Sequence, residues 1–233
     1  MNRESLHRII RAAATMLNEE AVVVIGSQSI LASFPEFILP SAAMLSAEAD
    51  LLPFDDDDEA KADQLDGLLG ETSHFYEKYG VFADGVSPWT AILPEGWDER
   101  LVCIEDPQSG LVGLCLNPQD LCVTKAIAGR TKDIRFLTAV FDAALVDPDK
   151  VAEKLGTVAL RPSDAVVLRR AKELIGSARR HERYAKNPAA ASDAIAGLSE
   201  RLAKMRTASL WCGRTNRDGS TCTHDRRACP EHP

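Results

Sequence analysis

The sequence predicts an α/β domain followed by helices, and three observations carry that prediction. Short apolar runs alternate with helical periodicity up to about residue 145. Helical patterns alone follow from there. The first apolar run, Ala21-Val22-Val23-Val24-Ile25, ends on Gly26-Ser27, the punctuation of a strand that turns directly into a helix.

The elements follow in order. Leu6, Ile9, Ile10, Ala13 and Leu17 recur at helical spacing, predicting a helix over 5–17. A strand over 21–25 and a helix over 27–33 come next, then a loop through Pro35 and Pro40. The segment 43–52 reads as a strand closed by Pro53. Asp55-Asp56-Asp57-Asp58-Glu59 reads as a solvated helix start, since acids favour a helix N-terminus. That helix stops at Gly70.

Short strands are predicted over 80–86 and 90–94, and a hairpin pairs 101–104 with 112–116 across Asp106-Pro107-Gln108-Ser109-Gly110. Asn117 and Pro118 open a helix that weakens at Gly129, and Thr131 caps another. Asp147-Pro148 and Pro162-Ser163-Asp164 start further helices, the second running to about Arg183. A final helix covers about 191–205. The expected organisation is a main domain over 1–146, a helical extension over 147–206 and a small Cys/His element over 207–233.

Length and composition narrow the classes. At 233 residues with 45% hydrophobic content, the chain can bury a sizeable core. No apolar run is long enough to span a membrane, and the first residues lack signal-peptide shape, so a cytoplasmic protein is expected. The net charge of −8 is uneven. Acids concentrate in the first half, whereas Lys and Arg outnumber acids about two to one between Arg161 and Arg206. A solvated helical surface or contact with RNA would each account for that.

Glu48 and Asp50 carry the main chemical signal. Side chains two apart on a strand share a face, and two carboxylates there repel unless a cation lies between them. Mg²⁺ suits such a pair, completing its shell with substrate phosphates. Alone, an acid-x-acid pair on a strand is better explained by a solvent-facing edge. Here it follows strand, Gly26-Ser27 and helix, a turn in which glycine admits a close phosphate and helix N–H groups favour an anion. Asp84, followed by Gly85, is a candidate third carboxylate. Lys125 on a mostly apolar helix, with Arg130, Lys132 and Asp133, could offer cations to a triphosphate and an acid to orient them. A solvated helical corner is the plainer alternative.

The six cysteines divide into two groups. Cys103, Cys115 and Cys122 sit in apolar surroundings and read as buried thiols. Cys212, Cys222 and Cys229 crowd the tail with His224 and His232. Cys212, Cys222, Cys229 and His232 form a Cys₃His set suited to structural Zn²⁺, with His224 as the competing ligand. Arg214, Arg217, Arg226 and Arg227 would let the same element touch RNA.

Taken together, Gly-Ser, Glu-x-Asp, the segment Tyr79-Gly80-Val81-Phe82-Ala83-Asp84-Gly85-Val86 and the late Lys125 with Arg130-x-Lys132-Asp133 resemble a known family. They are similar to nucleotidyltransferase-fold proteins of the abortive-infection and toxin–antitoxin type, nearest the DUF6036-like group, over about residues 5–145. The resemblance implies a DNA polymerase β-like nucleotidyltransferase fold. It also implies transfer of a nucleotidyl group from an NTP to RNA, in some members to tRNA ends, under restraint by an antitoxin protein. By position, Gly26 and Ser27 match the phosphate loop, Glu48 and Asp50 the metal acids, and Lys125 and Asp133 the later pair. Glu48 stands where Asp is usual, and the spacer from Ser27 to Glu48 is long. Those two departures point toward a weak or inactive enzyme, while the motif set and the resemblance as a whole lead to an expected Mg²⁺-dependent nucleotidyl transfer. An inactive module that binds RNA or a regulatory protein, and an enzyme acting on a small molecule, are the alternatives.

Overall fold

The computed structural model describes residues 1–56, 58–159 and 164–178. The zinc set Cys212, Cys222, Cys229 and His232, its competitor His224, and the helix expected over 191–205 lie outside the described residues.

Five strands form one mixed sheet: β1 (Ala21–Val24), β2 (Glu48–Leu52), β3 (Phe82–Gly85), β4 (Val102–Glu105) and β5 (Val112–Cys115), in the order β3-β2-β1-β5-β4. β1 is central and buried along its whole length, which is why it reads as a continuous Val run without alternation. It pairs antiparallel with β2 and parallel with β5. β2 and β3 are parallel, and β4 and β5 form the antiparallel hairpin that the sequence predicts.

The helices are α1 (Arg3–Leu17), α2 (Ile30–Ser33), α3 (Ala60–Leu69), α4 (His74–Tyr79), α5 (Pro118–Ala128), α6 (Thr131–Asp142), α7 (Pro148–Leu155) and α8 (Ala165–Ala178). α1 is capped by the Asn2 side chain, which accepts from the Ser5 N–H at 2.8 Å, and buries Leu6, Ile9, Ile10 and Ala13 against β1 and β5. α5 starts as predicted, with Asn117 as cap and Pro118 in its first turn. Residues on every side of α5 are buried, because α6, α7 and α8 all pack on it. Two charged residues, Asp120 and Lys125, are carried inside with it. Burial of a charge is tolerated only with a partner, and both have one.

Several expectations are corrected. The strand expected over 43–52 begins only at Glu48, since Ser41–Ala43 forms a 3₁₀ turn after Pro40. The helix expected over 27–33 is a 3₁₀ turn, Ser27–Ser29, followed by the four-residue α2. No strand forms over 90–94; that stretch is irregular and leads to a 3₁₀ turn at Asp98–Arg100. α4 was not foreseen: Ser73 caps it and Gly80 ends it, but six residues are too few to show a period. α3 begins at Ala60 rather than in the acidic run, where Asp56 accepts from the Lys61 and Ala62 N–H groups. Arg130, not Thr131, is the cap of α6. Cys103 is exposed, because the two-residue period of β4 buries Ile104 and turns Cys103 outward. Cys115 and Cys122 are buried, and burial pushes both thiols far up.

Candidate active site

Glu48 and Asp50 lie on the partly open face of β2, with Ala49 and Leu51 fully buried behind them. Their carboxyls are close enough to share a hydrogen bond. Asp50 and Asp84 are register partners across β2 and β3, so Asp84 stands beside the pair on the same face. Among the described residues no group of three or more His, Cys, Asp or Glu side chains is placed to hold a metal ion.

Asp50 is pushed up to about 6, first by burial and then by the charge of Glu48, while Lys125 pulls the other way. Asp84 is raised as well, by burial and by Glu48, Asp66 and Glu71, with Lys132 opposing. Two carboxylates that offer only oxygen donors are a set whose chemistry fits Mg²⁺.

Gly26, two residues past the end of β1, lies against Asp50 of this pair. Its φ of −82° and ψ of −172° are open to any residue. Glycine is needed for space: an ideal Cβ would stand 1.7 Å from Asp50 Oδ2 and 2.7 Å from Asp50 Cγ. The expected gap for a phosphate beside Gly26 is thus filled by the Asp50 carboxylate. Ser27 opens the 3₁₀ turn, which closes as the Ser29 N–H and Oγ both donate to the Gly26 carbonyl, at 3.0 and 2.8 Å. A 3₁₀ turn and a four-residue helix have little dipole to offer an anion, so the helix-N-terminus part of the expectation is withdrawn.

The cations come from α5 and α6. Lys125, almost fully buried, places Nζ 3.1 Å from Asp133 Oδ1 and 5.7 Å from the Phe136 ring centre. Arg130 donates to Asp133 Oδ2 twice, from Nε at 2.7 Å and from its backbone N–H at 3.2 Å. Burial alone would raise Asp133, but the hydrogen bond from Arg130 and the charge of Lys125 hold it below the usual carboxylate range. Asp133 is fully buried behind these cations, as the orienting acid that the sequence suggests. Lys132 reaches toward Glu48, with Nζ 3.7 Å from Oε2, and Lys125 and Arg130 both feel the charge of Asp50. Gly26, Ser27, Glu48, Asp50, Asp84, Lys125, Arg130, Lys132 and Asp133 therefore converge on one region, acids on one side and cations on the other.

Gln28 was missed. It is fully buried, and its Nε2 donates to the Ser46 carbonyl at 3.1 Å. The Ser46 hydroxyl in turn accepts from the Glu48 N–H at 3.1 Å. Gln28 thereby ties the turn after β1 to the start of the acid strand. The only sequence signal for it was a long polar residue inside a turn flanked by apolar runs.

A family model described as a nucleotidyltransferase of unknown function, DUF6036, matches residues 4–166. The chain belongs to the DUF6036 family. The matched span of the family includes all five strands and every residue of the acid and cation groups. The family's description supports nucleotidyl transfer in general, hence a nucleotide substrate. Neither a curated protein nor a solved structure matches the chain. Among the described residues no helix is long and apolar enough to cross a membrane.

Proposed function

We propose that this protein is a Mg²⁺-dependent nucleotidyltransferase that moves a nucleotidyl group from an NTP to an acceptor hydroxyl. The observation that supports it best is the pairing of Glu48 with Asp50, kept in place by the bare α-carbon of Gly26 and faced by Lys125, Arg130 and Lys132. Glu48 and Asp50 would hold the ion, which when bound would neutralise phosphate charge and favour ionisation of the attacking hydroxyl. Lys125 and Arg130 bind the triphosphate of the incoming nucleotide. Asp133 holds both cations in position without touching substrate. Lys132 guards the rim of the acid pair. Asp84 adds negative charge beside the pair and accepts a proton more readily than a free carboxylate.

RNA or a tRNA end as acceptor, with a restraining antitoxin, follows from the toxin–antitoxin resemblance. The test is purified protein with each labelled NTP, Mg²⁺ and total RNA, beside Asp50→Asn. Label on RNA that disappears in Asp50→Asn supports transfer. A protein that binds NTP but labels neither RNA nor a small molecule is the non-catalytic module instead. Full activity in Asp50→Asn refutes the acid assignment.

A further inference from the structure

The helix that carries Lys125 is held at both ends by arginines from elsewhere in the chain. At its start, Asp120 is fully buried and accepts from Arg100 Nε at 2.9 Å and Nη2 at 3.0 Å, with Lys154 Nζ at 3.8 Å. At its end, α5 closes on Gly129, whose φ of 57° is left-handed. There Arg170 of α8 donates to the Gly129 carbonyl. An ideal Cβ on Gly129 would stand 2.8 Å from Arg170 Nη2, 2.9 Å from Cζ and 3.0 Å from Nε. Three atoms of one guanidinium at nearly equal distance mean that its plane lies across the bare α-carbon. Glycine serves here both for its backbone angle and as the seat of the arginine.

The Gly129 carbonyl and the Arg130 N–H belong to one planar peptide unit. Arg170 holds its oxygen, and Asp133 Oδ2 accepts from its N–H at 3.2 Å. A planar unit gripped at both ends cannot rotate. Its orientation decides where the Arg130 side chain starts and where Asp133, the partner of Lys125, is held.

We propose that Arg170 is a positioning residue for the phosphate-binding cations, acting through the Gly129–Arg130 peptide. The inference rests on the triphosphate role given above to Lys125 and Arg130. It reaches beyond the family match, which ends at residue 166, so this contact is supplied by a helix largely outside the matched span.

The test uses the full chain and inorganic tripolyphosphate with MgCl₂, titrated by calorimetry, so that no choice of base or acceptor enters. Arg170→Ala weakens binding roughly three- to tenfold, the size usual for a residue acting through its neighbours. Arg170→Lys, which keeps a charged donor, restores most of it. In an Arg130→Ala background the Arg170→Ala effect shrinks to the part that acts through Asp133 on Lys125, because the backbone N–H of residue 130 still reaches Asp133 but no guanidinium remains to be placed. Arg170→Gln, read in the same way, replaces the alanine variant if that one does not fold. Unchanged binding in Arg170→Ala overturns the inference, as does an equal loss in the Arg130→Ala background or a lowered Tm with normal binding. If Lys125→Met weakens binding while Arg170→Ala does not, only this inference fails. If neither variant changes binding, or the wild type binds no tripolyphosphate, the triphosphate reading fails with it.

Discussion

Replacing Gly26 by alanine isolates the acid pair from every other feature of the site. The new methyl would overlap Asp50, at 1.7 Å from Oδ2, 2.7 Å from Cγ and 3.1 Å from Cβ. Comfortable carbon contacts lie near 3.5–4.0 Å, so the Asp50 side chain must leave its rotamer or β2 must shift. The backbone angle at Gly26 suits alanine, and the stiffer unfolded chain returns about 0.4–1 kcal/mol of stability. Overpacking costs roughly 1–3 kcal/mol. The expected net is a folded protein destabilised by about 1–2 kcal/mol. Because the displaced atoms are the ones assigned to Mg²⁺, the functional loss should far exceed that. The assay is thermal unfolding with and without MgCl₂, in parallel with labelled NTP transfer. Wild-type protein should gain Tm with MgCl₂, and Gly26→Ala should lose both the gain and the transfer. Gly67→Ala is the control: Gly67 is inside α3 with nothing near its α-carbon, and alanine there should be neutral or stabilising. A folded Gly26→Ala protein with a wild-type Mg²⁺ response and normal transfer would refute the reasoning.

Other expectations concern charge. The folded Asp50 carboxyl is raised from 3.8 to about 6, so the folded state binds the extra proton between those values. Stability from this group is complete below the unfolded pKa and lost as pH rises toward 6. Denaturant titrations should show wild-type stability falling relative to Asp50→Asn across that window, with MgCl₂ reversing the fall; parallel profiles would contradict the shift. Asp133→Asn strands buried Lys125 and should cost about 3–5 kcal/mol in urea unfolding. Lys125→Met should instead spare much of the stability and raise the nucleotide KM about tenfold, the loss of one charge-assisted contact; an unchanged KM would return Lys125 to a purely structural part. From sequence alone, Cys212, Cys222, Cys229 and His232 are proposed to bind one Zn²⁺. Elemental analysis should find about one zinc per chain, abolished by Cys222→Ser, and a zinc-free native protein would end that proposal.

Local chemistry was legible wherever it depends on near neighbours in sequence. Asn117-Pro118 announced α5, the hairpin turn placed β4 and β5, and Glu48-x-Asp50 after Gly26-Ser27 marked the acid strand. Periods of two and of three to four residues, with their caps, are written into consecutive residues. The loop expected through Pro35 and Pro40 runs further than its sequence suggests, because the apolar residues around Met44 look like strand although a 3₁₀ turn over Ser41–Ala43 precedes them and pairing begins only at Glu48. What tertiary structure alone decided is which distant groups meet. Gly26 needs to be glycine because Asp50 arrives from the neighbouring strand, and Gly129, whose left-handed angle already favours glycine at the helix end, also receives Arg170 from α8. Asp133 met Lys125 only when α5 and α6 packed side by side, whereas its pairing with Arg130 is local to the first turn of α6. The approaches of Asp50 to Gly26 and of Arg170 to Gly129 depend on distance in space between residues far apart in the chain, and no run of neighbouring residues encodes it.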